Sequence, residues 1–216
     1  MTNNLDIKTS NRNIDYLKAI NFMEQKVENI LAGNQKEMIW FLNHNHIYTC
    51  GRSSKTTEII NITNVPIIKT NRGGKTTYHG PGQRIVYLMI NLNNRRKDIR
   101  KFVSLIEETI IELLKELGIE SKTYKERVGI WIPQSTKNQF EKERKIAAIG
   151  IRVKKWITYH GLSFNINPNL NYYNNINACG LKNYNATSLY DLKIKLSSNK
   201  FDNLFKKIFL KNLKKF

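Results

Sequence analysis

The chain has 216 residues, two cysteines, and a formal net charge of +19 from 36 basic and 17 acidic side chains. This length suits one domain, residues 1–216, with enough surface buried to form a sizeable core, and two cysteines exclude a disulfide framework. No apolar run approaches the roughly 20 residues of a membrane helix, and the polar start, Met1 to Arg12, lacks a signal-peptide core, so a soluble, cytoplasmic protein is expected.

Residues 13–31 carry Leu17, Ile20, Met23, Val27 and Ile30 at helical spacing, with Gly33 just beyond, which predicts a helix. Short strands are predicted at 38–42, 47–50 and 65–69. A dense loop follows, Arg72-Gly73-Gly74-Lys75-Thr76-Thr77-Tyr78-His79-Gly80-Pro81-Gly82-Gln83, leading into an apolar run at 85–92 that reads as a buried strand. Glycine lets backbone approach a ligand closely and proline stiffens a turn. Such a loop with ionisable side chains, set against a strand, is how folds present a site.

Ile99, Phe102, Val103, Ile106, Ile110, Leu113, Leu114 and Leu117 form one stripe of a helix over 99–117 that Gly118 stops. A strand at 128–132 ends at Pro133, and 134–144 reads as a polar surface loop. Residues 145–153 and 156–166 predict an antiparallel pair turning near Lys154 and Lys155. An irregular Asn-rich stretch, 167–177, leads to Ala178, Cys179 and Gly180, and a basic amphipathic helix is expected over 200–216. Helices and strands mix without regular βαβ alternation, so the class is α+β.

The charge surplus admits three explanations: an acidic protein partner steered by the field, a nucleic acid bound through its phosphates, or compositional drift toward Lys, Asn and Ile. No recognised nucleic-acid motif accompanies it. Metal binding finds no support, since His44 and His46 lie close together without completing a ligand set.

Cys179 stands beside Gly180 at the end of a polar loop, where exposure and a nearby cation would make a reactive thiolate; the alternative is a small buried hydrophobe. Cys50, at a strand end, reads as packing. Lys145 opens an apolar strand, and period two sets it on the face of Ala147, Ile149 and Ile151. There it either reaches the surface or is partly desolvated and able to exchange protons. Tyr78-His79-Gly80 and Tyr159-His160-Gly161 repeat one tripeptide and suggest two walls of one pocket.

The loop from Arg72 to Gln83, the block Lys145-Ile146-Ala147-Ala148-Ile149-Gly150, His160-Gly161 with Asn165 and Asn167, and Cys179-Gly180 together resemble the signature of the lipoyl(octanoyl) transferase family. The blocks run in family order from about Trp40 to Leu189. The resemblance implies the catalytic fold of biotin and lipoate protein ligases, a mixed sheet flanked by helices. It also implies transfer of an octanoyl group from octanoyl-acyl carrier protein, an acidic donor, to a lysine of lipoyl domains, those of 2-oxoacid dehydrogenases and of the glycine cleavage H protein. This is the first step in assembling lipoate on proteins.

In that chemistry Cys179 would carry the acyl group as a thioester and Lys145 would shuttle protons. Arg72, Gly73, Gly74, Lys75, Thr76, Thr77, Tyr78 and His79 would line one side of the acyl pocket. Ala148, Ile149, Gly150, Gly161, Leu162 and Ser163 would line the other, with His160 and Gly180 in support. No cofactor, metal, nucleic acid or membrane is implied, and a monomer is expected. Three positions depart from the family pattern: Arg84 at the strand entry and pocket edge, Ala178 before the cysteine, and Cys50. The rival readings are an ATP-dependent lipoate or biotin ligase on the same fold, which needs no nucleophilic cysteine, and a basic nucleic-acid-binding protein.

Overall fold

A computed structural model describes residues 5–135, 140–177 and 185–216. The chain opens with β1 (Leu5–Ile14), a strand that no sequence pattern announced. It lies at a sheet edge, pairs on one side only and buries little, so its polar residues carry no alternation. Helix α1 (Tyr16–Leu31) carries the chain over to β2 (Glu37–His44), which pairs in parallel with β1. Asp15 caps α1 by accepting the Lys18 N–H at 2.9 Å. Met23, Val27 and Ile30 of the predicted stripe are buried, together with Ala19, whereas Ile20 is only partly buried and Leu17 is exposed.

Three short strands, β3 (Ile47–Cys50), β4 (Ile67–Lys69) and β5 (Thr77–His79), form a small sheet in the order β4-β3-β5. The larger sheet adds β6 (Gln83–Met89), β7 (Lys122–Tyr124), β8 (Arg127–Ile132), β9 (Arg144–Lys154) and β10 (Ile157–Asn165). It runs in the order β1-β2-β6-β10-β9-β8-β7, antiparallel except at its first pair. β9 and β10 turn through Lys155 and Trp156, both at positive φ (46° and 66°), one residue later than predicted.

Helices α2 (Ile99–Glu116) and α3 (Ser198–Leu213) cover one face of this sheet. Phe102, Ile106 and Ile110 of α2 and Phe201, Phe205 and Phe209 of α3 pack with Val86, Leu88, Leu162 and Phe164 into the main core. Asp98 and Ser197 cap the two helices. Lys207 and Lys211 of α3 pair with Glu116 and Glu112 of α2, so the basic C-terminal helix is a structural layer. Within the predicted polar loop 134–144, Phe140 is buried instead, under the Arg144 guanidinium.

On the opposite face α1 packs over Trp40, Leu42 and Met89, which are buried with its inner stripe in a second cluster. The small sheet and the glycine loop stand over the rest, with a cavity between. Arg84 does not edge that cavity. β6 alternation turns it to the helical face, where Nε and Nη2 bind the two Asp202 carboxylate oxygens of α3 at 2.8 and 2.5 Å, and Nη1 donates to Asn43. Cys50 is buried and free, as the packing reading expected.

Candidate active site

The cavity, of about 340 Å³, lies between the strands β6, β10 and β9 and the glycine loop. Paired residues set its floor. Gly161 faces Tyr87 on β6 and Gly150 on β9, while Ser163 faces Ile85 and Ala148. Small residues in the middle strands leave the space that larger side chains would fill. Gly150 also receives the loop, because a Cβ there would lie 2.9 Å from the Gly73 carbonyl oxygen.

Arg72 holds the loop in shape. It is buried, and its guanidinium donates to the Thr49 carbonyl and hydroxyl on β3, and to the Gly73 and Lys75 carbonyls. Glu58 adds a second tie by accepting the Thr76 N–H at 2.8 Å. Along β5 the side chains alternate, so Thr77 and His79 enter the cavity. Thr76 and Tyr78 turn away from it, as does Gly73. The Thr76 hydroxyl meets Cys50 Sγ, and Tyr78 stacks on Tyr172 with its hydroxyl 2.7 Å from His46 Nδ1.

His79 and His160 line the same cavity, as the repeated tripeptide suggested. His160 sits at φ +58°, a conformation costing a non-glycine residue about 1–3 kcal/mol. The ladder to β6 is interrupted there, and the Thr158 hydroxyl fills the gap, accepting from Ile90 N–H and donating to the Leu88 carbonyl. The kink commits the His160 ring to the cavity, where its buried Nδ1 has no hydrogen-bond partner among the described residues. Burial holds His79 and His160 neutral, lowering each pKa to about 3, and Arg72 adds to the effect in both. Behind them His44 is lowered by burial to about 4. Its Nδ1 donates to the Ile14 carbonyl, leaving Nε2 to accept from the Tyr87 hydroxyl at 2.7 Å. These rings can make hydrogen bonds but do not gain a proton near neutral pH.

Lys145 enters the cavity by a route that strict alternation excludes. Ile130 pairs with Ala147, yet Trp131 pairs with Lys145, so β9 carries one extra residue at Ile146. This β-bulge buries both Ile146 and Ala147 in the core and turns Lys145 to the opposite face, with Ala148 and Gly150. The predicted placement of Lys145 beside Ala147, Ile149 and Ile151 is thus corrected. Lys145 Nζ donates to the Val128 carbonyl at 2.9 Å and stands 4.7 Å over the Trp131 ring.

Cys179 and Gly180 lie outside the described residues. The chain before them ends with the Asn177 N–H on the Glu58 carbonyl, and it resumes at Asn185, whose carbonyl accepts the Lys145 N–H at 3.0 Å. Tyr16, Ser53, Ile85, Tyr87, Glu126, Arg127 and Val128 also line the cavity, none of them singled out from the sequence. They come from segments distant in the chain and share no motif.

A loop of this composition, clamped over a mixed sheet with a lysine in the cavity beneath, gives a pocket of small-molecule size on a fold of the lipoate-ligase type. The chain belongs to the lipoyl protein ligase A/B catalytic domain family, whose profile matches residues 15–210. It is 43% identical over 206 residues to the octanoyltransferase of Bartonella henselae, covering 94% of this chain and 84% of that protein. It is also 43% identical over 199 residues to the octanoyltransferase of Ehrlichia chaffeensis, covering 92% and 91%.

Among solved structures, a bi-partite lipoate protein ligase from Thermoplasma acidophilum superposes with a TM-score of 0.71 at 13% identity, over 97% of this chain and 84% of that one. A lipoate-protein ligase A bound with ATP gives 0.70 at 14%, over 96% and 85%. At these identities the likeness is one of fold. The chain is an acyltransferase of the lipoyl and octanoyl transfer class.

Proposed function

We propose that the protein moves an octanoyl group from octanoyl-acyl carrier protein to a lysine of lipoyl domains through a thioester on Cys179. The Cys179 thiolate attacks the donor's thioester carbonyl, and the tetrahedral intermediate expels the carrier thiolate, which takes a proton from the Lys145 ammonium. The lysine amine of the lipoyl domain then attacks the acyl-enzyme. The C–S bond to Cys179 breaks, an amide forms, and the proton shed by the attacking amine passes to Lys145. Thiolate is both a good nucleophile and a good leaving group, so one hard step becomes two easier ones.

The observation that carries this reading is the Lys145 amine, turned by the bulge into a cavity walled by small residues. Two further features support it. The cavity histidines stay neutral, which leaves proton transfer to lysine and thiol, and Lys145 is hydrogen-bonded through its backbone to Asn185, where the segment bearing Cys179 rejoins the described chain. A surplus of 19 positive charges suits an acidic donor.

The test is intact-mass measurement after mixing with octanoyl-carrier protein in the absence of ATP. One octanoyl group is expected on the native chain and none on Cys179→Ser, and Lys145→Met should fold but acylate far more slowly. A requirement for ATP and free acid would favour the ligase chemistry of the fold's other members. Full turnover by Cys179→Ser would remove the thioester.

A further inference from the structure

One peptide unit of β8 is turned out of its ladder and lies between two charged side chains. Gly129 takes φ +121°, just before the point between Ile130 and Trp131 where β8 and β9 slip register. The Val128 carbonyl is thereby the acceptor for Lys145 Nζ, at 2.9 Å. The N–H of the same peptide bond, that of Gly129, reaches α2 behind the sheet, where Glu107 Oε1 accepts it at 3.1 Å. A trans peptide directs its C=O and N–H in opposite directions. Ammonium and carboxylate therefore sit on opposite sides of the sheet, joined by one polarisable amide, and each hydrogen bond strengthens the other.

The arrangement needs glycine at 129. A Cβ there would fall 2.6 Å from the Ala147 carbonyl oxygen and 3.2 Å from Lys145 Cε, so a side chain would collide with the β9 backbone and crowd the lysine stem. Glu107 is half-buried on an otherwise apolar helix face. Burial raises its carboxyl pKa, while the Gly129 amide and then Lys145 draw it back. The other charges near Lys145 are engaged or lie on the cavity side. Glu126, Arg127 and Lys75 line the cavity, Glu143 pairs with Arg127, and Arg144 pairs with Asp191. Among the described residues Glu107 is the acidic group that reaches the lysine from behind.

We propose that Glu107 is a positioning residue for Lys145, aiming its amine into the cavity through the Val128–Gly129 peptide. The idea rests on the acyl-transfer reading of Lys145 for its catalytic consequence, but the coupling itself can be measured without turnover. The probe is the ¹⁵N–¹H signal of the Lys145 ammonium, identified by its loss in Lys145→Met. Glu107→Gln keeps an oxygen acceptor without the charge, and should shift that signal and slow acylation a few-fold. Glu107→Ala removes the acceptor, and should broaden the signal and slow acylation by up to about 100-fold with the donor KM little changed, as expected when a reacting group is misplaced.

An unmoved signal together with native acylation rates in both variants overturns the proposal, and if Glu107→Ala does not fold, the Gln variant decides on the same criteria. A signal that responds to Glu107 while Lys145→Met acylates at the native rate upholds the coupling and removes the catalytic role of Lys145. The two readings therefore fail separately.

Discussion

Three buried histidines, His44, His79 and His160, carry no charge in the folded protein at neutral pH. Their pKa values of about 4, 3 and 3 lie below the ordinary 6.5 because burial disfavours the imidazolium. The unfolded chain takes up protons at these positions below about pH 6.5, and the folded chain does not. Stability is therefore full above that pH and falls as pH drops, each histidine contributing a slope that approaches about 1.4 kcal/mol per pH unit. Urea titrations at pH 7.5, 6 and 5 should show a steep loss across a window that lies above the ordinary carboxylate range. A flat profile would mean that these rings gain protons in the fold. The pairing of His79 with His160 in one cavity was legible in the repeated Tyr-His-Gly. The strain at His160 was not, because a positive φ leaves no mark in a strand's composition.

At the level of elements, amphipathic spacing located the three helices, since a stripe of apolar residues has to meet a core whatever the fold. The edge strands β1 and β7 bury little and so leave no apolar pattern in the sequence. The bulge in β9 leaves no local sequence signal either, and it decides which way Lys145 points. Arg84, an odd residue at a strand entry, proves to be the anchor of α3 through its two-pronged bond to Asp202. Both side chains are buried, with 3% and 8% exposed. Burial raises the Asp202 pKa and Arg84 opposes it. Replacing Arg84 by Leu leaves a buried, unpaired carboxylate and should cost about 3–5 kcal/mol in urea unfolding. The double variant Arg84→Leu with Asp202→Leu should recover most of that loss. If the single variant is neutral, the pair does not hold the helix.

Across the whole molecule, basic side chains stand on both faces of the large sheet, with Arg72, Lys75, Arg127 and Lys145 at the cavity. The lysines of α3 stand behind the cavity, and two of them already pair with α2. Neutralising Lys214 and Lys215 to Gln should leave the KM for an acidic donor within about twofold, since exposed charges beyond a Debye length are screened. Lys75→Glu, at the cavity itself, should raise that KM several-fold at low ionic strength and less at about 0.5 M salt. The reverse ranking would move the donor's landing site to the helical face. Among the described residues no helix is long and apolar enough to cross a membrane.

The amino-acid sequence determined the mixed class, the helices, the glycine loop and most of the cavity wall, because periodicity, turn chemistry and a long motif are local properties. Tertiary structure decided what local pattern cannot contain: that Thr76 and Tyr78 face away, that an extra residue in β9 turns Lys145 into the cavity, and that Glu107 meets it through a peptide from across the sheet. Each depends on register between strands far apart in the chain, and one inserted residue reverses the face on which every later side chain lies.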